Sequence, residues 1–142
     1  MFFKVVKIGP ELWKQRFSDE AHRISFSEAR NYDERIDYAL LGINEKDEPC
    51  GYMTCRELDS RSVYWQFGGM FPPVLDTIYS FRLLQNFLRW HRENYDRVSF
   101  LVENTNSVFL KMAMKLGFKI TGVRNFKGSI LLEHSMEFKD AN

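Results

Sequence analysis

Val102-Glu-Asn-Thr-Asn106-Ser-Val-Phe-Leu-Lys-Met-Ala-Met-Lys-Leu116-Gly117-Phe118 carries a start signal and a stop signal for one helix, set between two strands. The apolar run Arg97 to Val102 reads as a strand. It passes into Asn104-Thr-Asn106, a polar turn whose last Asn can accept a hydrogen bond from the first helical N–H groups. From Asn106 to Lys115 the apolar residues recur at helical spacing, which turns Phe109, Met112, Ala113 and Leu116 inward. Gly117 suits a left-handed stop, and Phe118 opens another strand. Strand, capped helix, stop and strand in close succession predict an α/β unit.

Working outward, the rest of the chain keeps alternating. Phe2 to Ile8 alternates as a strand, and Gly9-Pro10 starts a helix at a position where the missing proline N–H does no harm. Leu12, Trp13, Phe17 and Ala21 mark one face of that helix. Ser25-Phe-Ser-Glu28 has capping-box spacing and predicts a second short helix through about Tyr32. Asp37 to Asn44 and Gly51 to Leu58 form a hairpin around the charged turn Glu45 to Pro49. Val63 to Met70 is the next strand, and Pro72-Pro73 must end it. The longest helix is expected from about Leu75 to Asn94. Leu75, Ile78, Tyr79, Leu83, Leu84, Phe87, Leu88 and Trp90 would lie on its buried side. Phe118 to Arg124 and Ser129 to Phe138 close the chain as a hairpin around Asn125-Phe-Lys-Gly128. The order is β-α-α-β-β-β-α-β-α-β-β, with hairpins pairing antiparallel and crossovers forcing some parallel pairing.

At 142 residues the chain is expected to be a single domain, 1–142, with a self-sufficient core. Formal net charge is +1 with Lys and Arg dispersed among the acids, which argues against a nucleic-acid surface. The apolar runs are too short to span a bilayer, and the first residues lack a signal-peptide layout. Cys50 and Cys55 are five apart in a strand and would face opposite ways, so a reducing, cytoplasmic setting without a disulfide is expected. No metal-ligand spacing accompanies them, so no metal is expected. The chain has 13 Phe, 3 Trp and 6 Tyr, which predicts a bulky aromatic core rather than a stacking surface. His91, near the end of the long helix, reads as a surface residue.

The segment from Asn106 through Lys115-Leu-Gly-Phe118 resembles the end of the acetyl-CoA-binding core of the GNAT superfamily of N-acetyltransferases. In that family an Asn begins the helix and a Lys-Leu-Gly-Phe run closes it. The element order and length fit the same family over essentially the whole chain. The resemblance implies an α/β (α+β) domain with a mixed, mostly antiparallel central sheet flanked by helices, its strands splayed at a cofactor slot. It further implies acetyl-CoA or another acyl-CoA as co-substrate, and a primary amine, on a small molecule or a protein, as acceptor. In the family a strand end offers backbone groups to pantetheine, which maps to Gly69, Met70 and Phe71 here. Gly68-Gly69 suits a bulge or close backbone approach, and equally a plain strand-end turn. Asn106 and Phe109 fall on the helix that reaches the cofactor, although Asn106 also reads simply as a cap.

Two departures stand out. The family's pyrophosphate loop has Arg or Gln, two residues, Gly, one residue, then Gly or Ala, before the long helix. Here the run is Leu75-Asp-Thr-Ile78-Tyr-Ser80, with Thr77, Ile78 and Ser80 falling at the phosphate-facing positions. Only Ser80 fits its slot, and Asp76 opposes a phosphate unless it caps the helix. Many family members also place a Tyr seven residues after the Asn to protonate the departing thiolate. That position is Ala113, which would then face the cleft. For the general base, Glu57, Tyr64 and Glu103 are the candidates, each of which also reads as a solvated surface residue. The mixture of kept scaffold and lost motifs resembles divergent GNAT-like proteins of tailed phages and prophages. Two readings follow: an acyl-CoA-dependent N-acyltransferase working by direct attack, or a catalytically inactive GNAT-fold binding or assembly module.

Overall fold

Gly9-Pro10 makes the first corner. β1 (Lys4–Ile8) ends there, and α1 (Pro10–Arg16) begins with Gly9 as an extended N-cap and Pro10 in its first turn. The computed structural model describes residues 1–25 and 35–138. The elements that follow are α2 (Ser18–Ser25), β2 (Tyr38–Ile43), β3 (Pro49–Glu57), β4 (Ser62–Met70), α3 (Tyr79–Asn94), β5 (Arg97–Glu103), α4 (Ser107–Leu116), β6 (Lys119–Phe126) and β7 (Ser129–Glu137). The succession of element types matches the expectation, although α2 is not the helix expected from Ser25 to about Tyr32. The strands form a mixed, mostly antiparallel seven-stranded sheet in the order β1-β2-β3-β4-β5-β7-β6, with β4 and β5 parallel. Two compact units share the chain. The first comprises Met1–Arg56 with Trp65–Trp90, the second Glu57–Tyr64 with the chain from His91 onward.

In the first unit, β1 pairs with β2 from Lys4↔Ile43 to Ile8↔Ala39, and β2 with β3 from Tyr38↔Cys55 to Gly42↔Gly51. Alternation along the strands creates two faces. On one, Ile8, Ala39, Leu41 and Tyr52 gather with Trp13, Ala21 and Phe71. Trp13 is almost wholly buried, with its ring 4.9 Å from that of Tyr52. On the other face, Gly42 and Gly51 stand directly across from each other. The Leu83 side chain from α3 fills the space their missing side chains leave. A Cβ on Gly42 would clash with Leu83 Cδ1, and one on Gly51 would lie 2.5 Å from Leu83 Cδ2 and 3.0 Å from the Gly69 carbonyl oxygen. Thr54 Oγ1 accepts from Phe67 N at 3.1 Å and donates to Phe67 O at 3.3 Å, tying β3 to β4.

Three expectations need correction here. The first helix is two, divided at Phe17, whose φ of −120° leaves the helical region. Trp13, Phe17 and Ala21 still turn inward, but Leu12 is exposed. The long helix starts at Tyr79, four residues later than Leu75, because the chain after Pro72-Pro73 winds into turns and Asp76 takes a left-handed φ of 61°. Leu75 and Ile78 are therefore exposed, Ile78 at 86%, while Leu83, Leu84, Phe87 and Leu88 are buried as expected. Beyond Ser25, the expected helix through Tyr32 lies outside the described residues.

In the second unit, β5 pairs with β7 from Arg97↔Glu137 to Glu103↔Leu131. The parallel β4–β5 ladder runs from Ser62↔Arg97 to Tyr64↔Ser99. β6 returns to β7 through Lys127-Gly128, both with positive φ (49° and 84°), the twist that two-residue hairpins favour. Phe100 is the packing centre. Its ring lies 5.5 Å from Phe109 and 4.6 Å from Phe118, both edge-on, and 5.1 Å from the parallel ring of His134. Gly117 stops α4 at φ 96°, and the Phe118 N–H donates back to Ala113 O. His91 is fully buried, contrary to its surface reading, and its ring faces that of Tyr95 at 5.7 Å. Its place follows from helical spacing, since Leu84, Leu88 and His91 share one side of α3.

The glycine notch sets a stability test. Gly51→Ala is expected to cost about 1–3 kcal/mol, because the new methyl meets backbone as well as Leu83. The readout is a lower urea midpoint with an unchanged m-value. An unchanged midpoint would mean that β3 and Leu83 yield without cost.

Candidate functional site

The residues expected to hold a cofactor divide between the two units. Gly69, Met70, Phe71, Thr77, Ile78 and Ser80 belong to the first, and Asn106, Phe109 and Ala113 to the second, together with Glu57, Tyr64 and Glu103.

At the end of β4, a Cβ on Gly68 would come 2.7 Å from Met53 Cε, and the Gly69 carbonyl sits above Gly51. The missing side chains of Gly68 and Gly51 thus permit the close approach of β4 and β3. Gly69 and Met70 are half-buried. Phe71, expected to offer backbone groups to a cofactor, has those groups engaged within the protein. Its side chain is buried with its ring 5.5 Å from that of Tyr52, its N–H donates to Cys50 O, and its carbonyl accepts from Val74 and Leu75 N–H. It is a core residue.

The stretch between Phe71 and α3 closes on itself. Thr77 N donates to Val74 O and Ser80 N to Thr77 O. Thr77 Oγ1 donates to Val74 O at 2.7 Å and accepts from Tyr79 N at 3.2 Å, so Thr77 acts as a local cap. Ser80 Oγ donates to Thr77 O. A phosphate-binding loop leaves such N–H groups pointing at the ligand. Here those of Val74, Leu75, Thr77, Tyr79 and Ser80 already have partners within the protein. Ile78, at the position expected to be Gly, exposes its side chain instead of lining a cradle.

In the second unit, Asn106 accepts from Phe109 N at 3.1 Å through Oδ1, and its own N–H donates to Glu103 O. The cap reading of Asn106 is thus realised, and it brings Asn106, Phe109 and Glu103 together. Phe109 is half-buried against Phe100, and the Glu103 side chain is exposed. Ala113 is fully buried. The position where a catalytic Tyr would stand is closed by packing, contrary to the expectation that it faces a cleft.

Glu57 is not a plain solvated carboxylate, because the Tyr95 hydroxyl donates to its Oε1 at 2.8 Å. Tyr95, absent from the sequence-based candidates, is buried and distant in sequence from Glu57, so no local pattern could have paired them. Tyr64 is half-buried at the end of the parallel ladder opposite Ser99. Glu57 and Tyr64 thus sit on neighbouring strands of the second unit, with Glu103 at the far end of β5.

Cys50 and Cys55 are both free and buried, and burial raises both thiols above their ordinary pKa. Buried neutral thiols are poor nucleophiles, so neither supplies a covalent route for acyl transfer. Among the described residues no group of three His, Cys, Asp or Glu side chains could hold a metal ion, and no helix is long and apolar enough to cross a membrane.

No protein-family model matches the chain, and no curated protein matches it in sequence. Solved structures do match. A spermidine/spermine N-acetyltransferase from Vibrio cholerae superimposes with a TM-score of 0.70 at 12% identity over 95% of both chains. A chimera of the Vibrio cholerae spermidine N-acetyltransferase gives 0.74 at 12% identity, over 94% of this chain and 95% of the other. A GNAT-family acetyltransferase from Streptococcus pneumoniae gives 0.70 at 11% identity, over 97% of this chain and 100% of the other. At such identities the shared property is the fold.

Two substitutions distinguish packing from an open slot. Ala113→Tyr is expected to lose about 1–3 kcal/mol or more by overpacking, and Asn106→Ala about 1 kcal/mol by loss of the cap. Both are measured by urea denaturation without ligand. Wild-type stability of Ala113→Tyr would show that the ring finds open space.

Proposed function

We propose that this chain, which has the GNAT fold, is an acyl-CoA-dependent N-acyltransferase that moves an acetyl group from acetyl-CoA to a primary amine. The observation carrying the proposal is the correspondence with N-acetyltransferases over nearly the whole of each chain. The neutral amine attacks the thioester carbonyl directly, forming a C–N bond, and the C–S bond breaks as the tetrahedral intermediate collapses. The surplus amine proton passes to solvent; Glu57 already accepts a hydrogen bond from the Tyr95 hydroxyl. The thiolate takes its proton from water, because Ala113 offers no acid. Losing general-acid help costs on the order of a hundredfold in rate, so turnover is slow. Spermidine, named for the Vibrio cholerae proteins, is the first acceptor to try. The two free, buried cysteines suit a reducing, cytoplasmic setting.

A second reading, a non-catalytic GNAT-fold binding or assembly module, is favoured by the self-bonded loop before α3 and by the buried Ala113. Thermal unfolding with millimolar acetyl-CoA or free CoA separates the two. The enzyme reading expects a raised Tm, with stabilisation of about 2.7 kcal/mol at a hundred times the dissociation constant. It also expects thiol release that rises with pH as the amine loses its proton. Absence of both a Tm shift and thiol release across a panel of primary amines would leave the binding module as the reading.

A further inference from the structure

β6 is the last strand in the sheet order and, among the described residues, pairs with β7 alone. Apart from half-buried Gly122, every residue along it is exposed. Three of them are large and apolar: Ile120, Val123 and Phe126, at 58%, 68% and 60%. Open strand edges are ordinarily blunted because their free N–H and C=O groups template further pairing. By the register with β7 and the bulge between Ile120 and Gly122, Ile120 and Val123 share one face while Phe126 lies on the other with Lys119 and Arg124, and the strand carries only basic charge. Lys119 and Arg124 lie on the strand and Lys127 in the turn, with no acid among them. Arg124 is matched by Glu133 of β7 at 3.3 Å. Among the described residues Lys119 and Lys127 form no ion pair.

The charge pattern selects the occupant. In an antiparallel pair of two β6 strands, setting Ile120 against the copy's Val123 sets Lys119 against the copy's Arg124. Like charges directly opposite each other destabilise a ladder, so a second copy is disfavoured in that register. A nucleic-acid backbone supplies negative charge but cannot match an edge of alternating donors and acceptors. An extended peptide can.

We propose that the free edge of β6 receives an extended acidic segment of a partner protein by strand addition. The segment's apolar side chains rest on Ile120 and Val123 on one face, and its carboxylates reach Lys119 on the other face and Lys127 in the turn. This surface is independent of the acyltransferase reading.

The test uses the full chain and two fluorescein-labelled peptides of equal length, one alternating Glu with Val and the other Lys with Val. Fluorescence anisotropy should show the acidic peptide binding on the order of tenfold or more tighter, equivalent to about 1.4 kcal/mol. The preference should weaken with salt and reverse in the double variant Lys119→Glu, Lys127→Glu, whose exposed side chains leave the fold intact. Equal affinity for both peptides, or no binding at millimolar peptide, overturns the proposal. So does a single-stranded oligonucleotide that displaces the peptide at lower concentration. Concentration-dependent self-association in sedimentation that blocks peptide binding would instead make a second copy the occupant, and would also overturn it.

Discussion

Leu83 rests where two side chains are missing. Gly42 and Gly51 face each other across β2 and β3, and α3 can approach that face only because neither carries a Cβ. The contact fixes the depth and the rotation of α3 together. With Leu83 seated, Leu84, Phe87 and Leu88 are carried into the interior by helical spacing. The same approach leaves the Gly69 carbonyl directly over Gly51. The end of β4, the turns that follow it and the first turn of α3 therefore inherit their positions from one methyl-free patch of sheet.

The turns between Phe71 and Tyr79 show what the chain gains by giving up glycine there. A loop that binds phosphate must hold several N–H groups without internal partners, which is tolerable only when flexible residues let the backbone approach a ligand. With Pro72-Pro73 at one end and Ile78 at the other, the backbone instead satisfies its own donors through Thr77 and a left-handed Asp76. Internal satisfaction and anion capture compete for the same hydrogens. In this chain internal bonds hold those of Val74, Leu75, Thr77, Tyr79 and Ser80.

Local physics was legible in the sequence and long-range geometry was not. Asn106 and Gly117 act within a turn of their own helix, so the cap and the left-handed stop were visible in the spelling. Strand alternation and the Gly9-Pro10 corner were equally local. Leu75 and Ile78 misled because their spacing continues the helical period, whereas the helix is broken by a backbone angle at Asp76 that periodicity does not register. Phe17 hid a break in the same way. His91 looked superficial by residue type and is buried by its place on α3. The pairing of Glu57 with Tyr95, and the seat of Leu83 on two glycines, join residues far apart in sequence. Of the candidate site, the residues could be named, but whether each was open to a ligand depended on neighbours that only the fold supplies.

The position of β7 bears on how the chain acquires its structure. β7 follows every other strand in the sequence, yet it lies between β5 and β6. Every residue of the first unit precedes His91, so all of it is made before β5, β6 and β7. Until β7 arrives, β5 lacks its antiparallel neighbour and β6 has no strand beside it. Phe100 likewise waits for the ring of His134. The last-made strand is thus the one that completes the second half, while every strand of the first half is made before it.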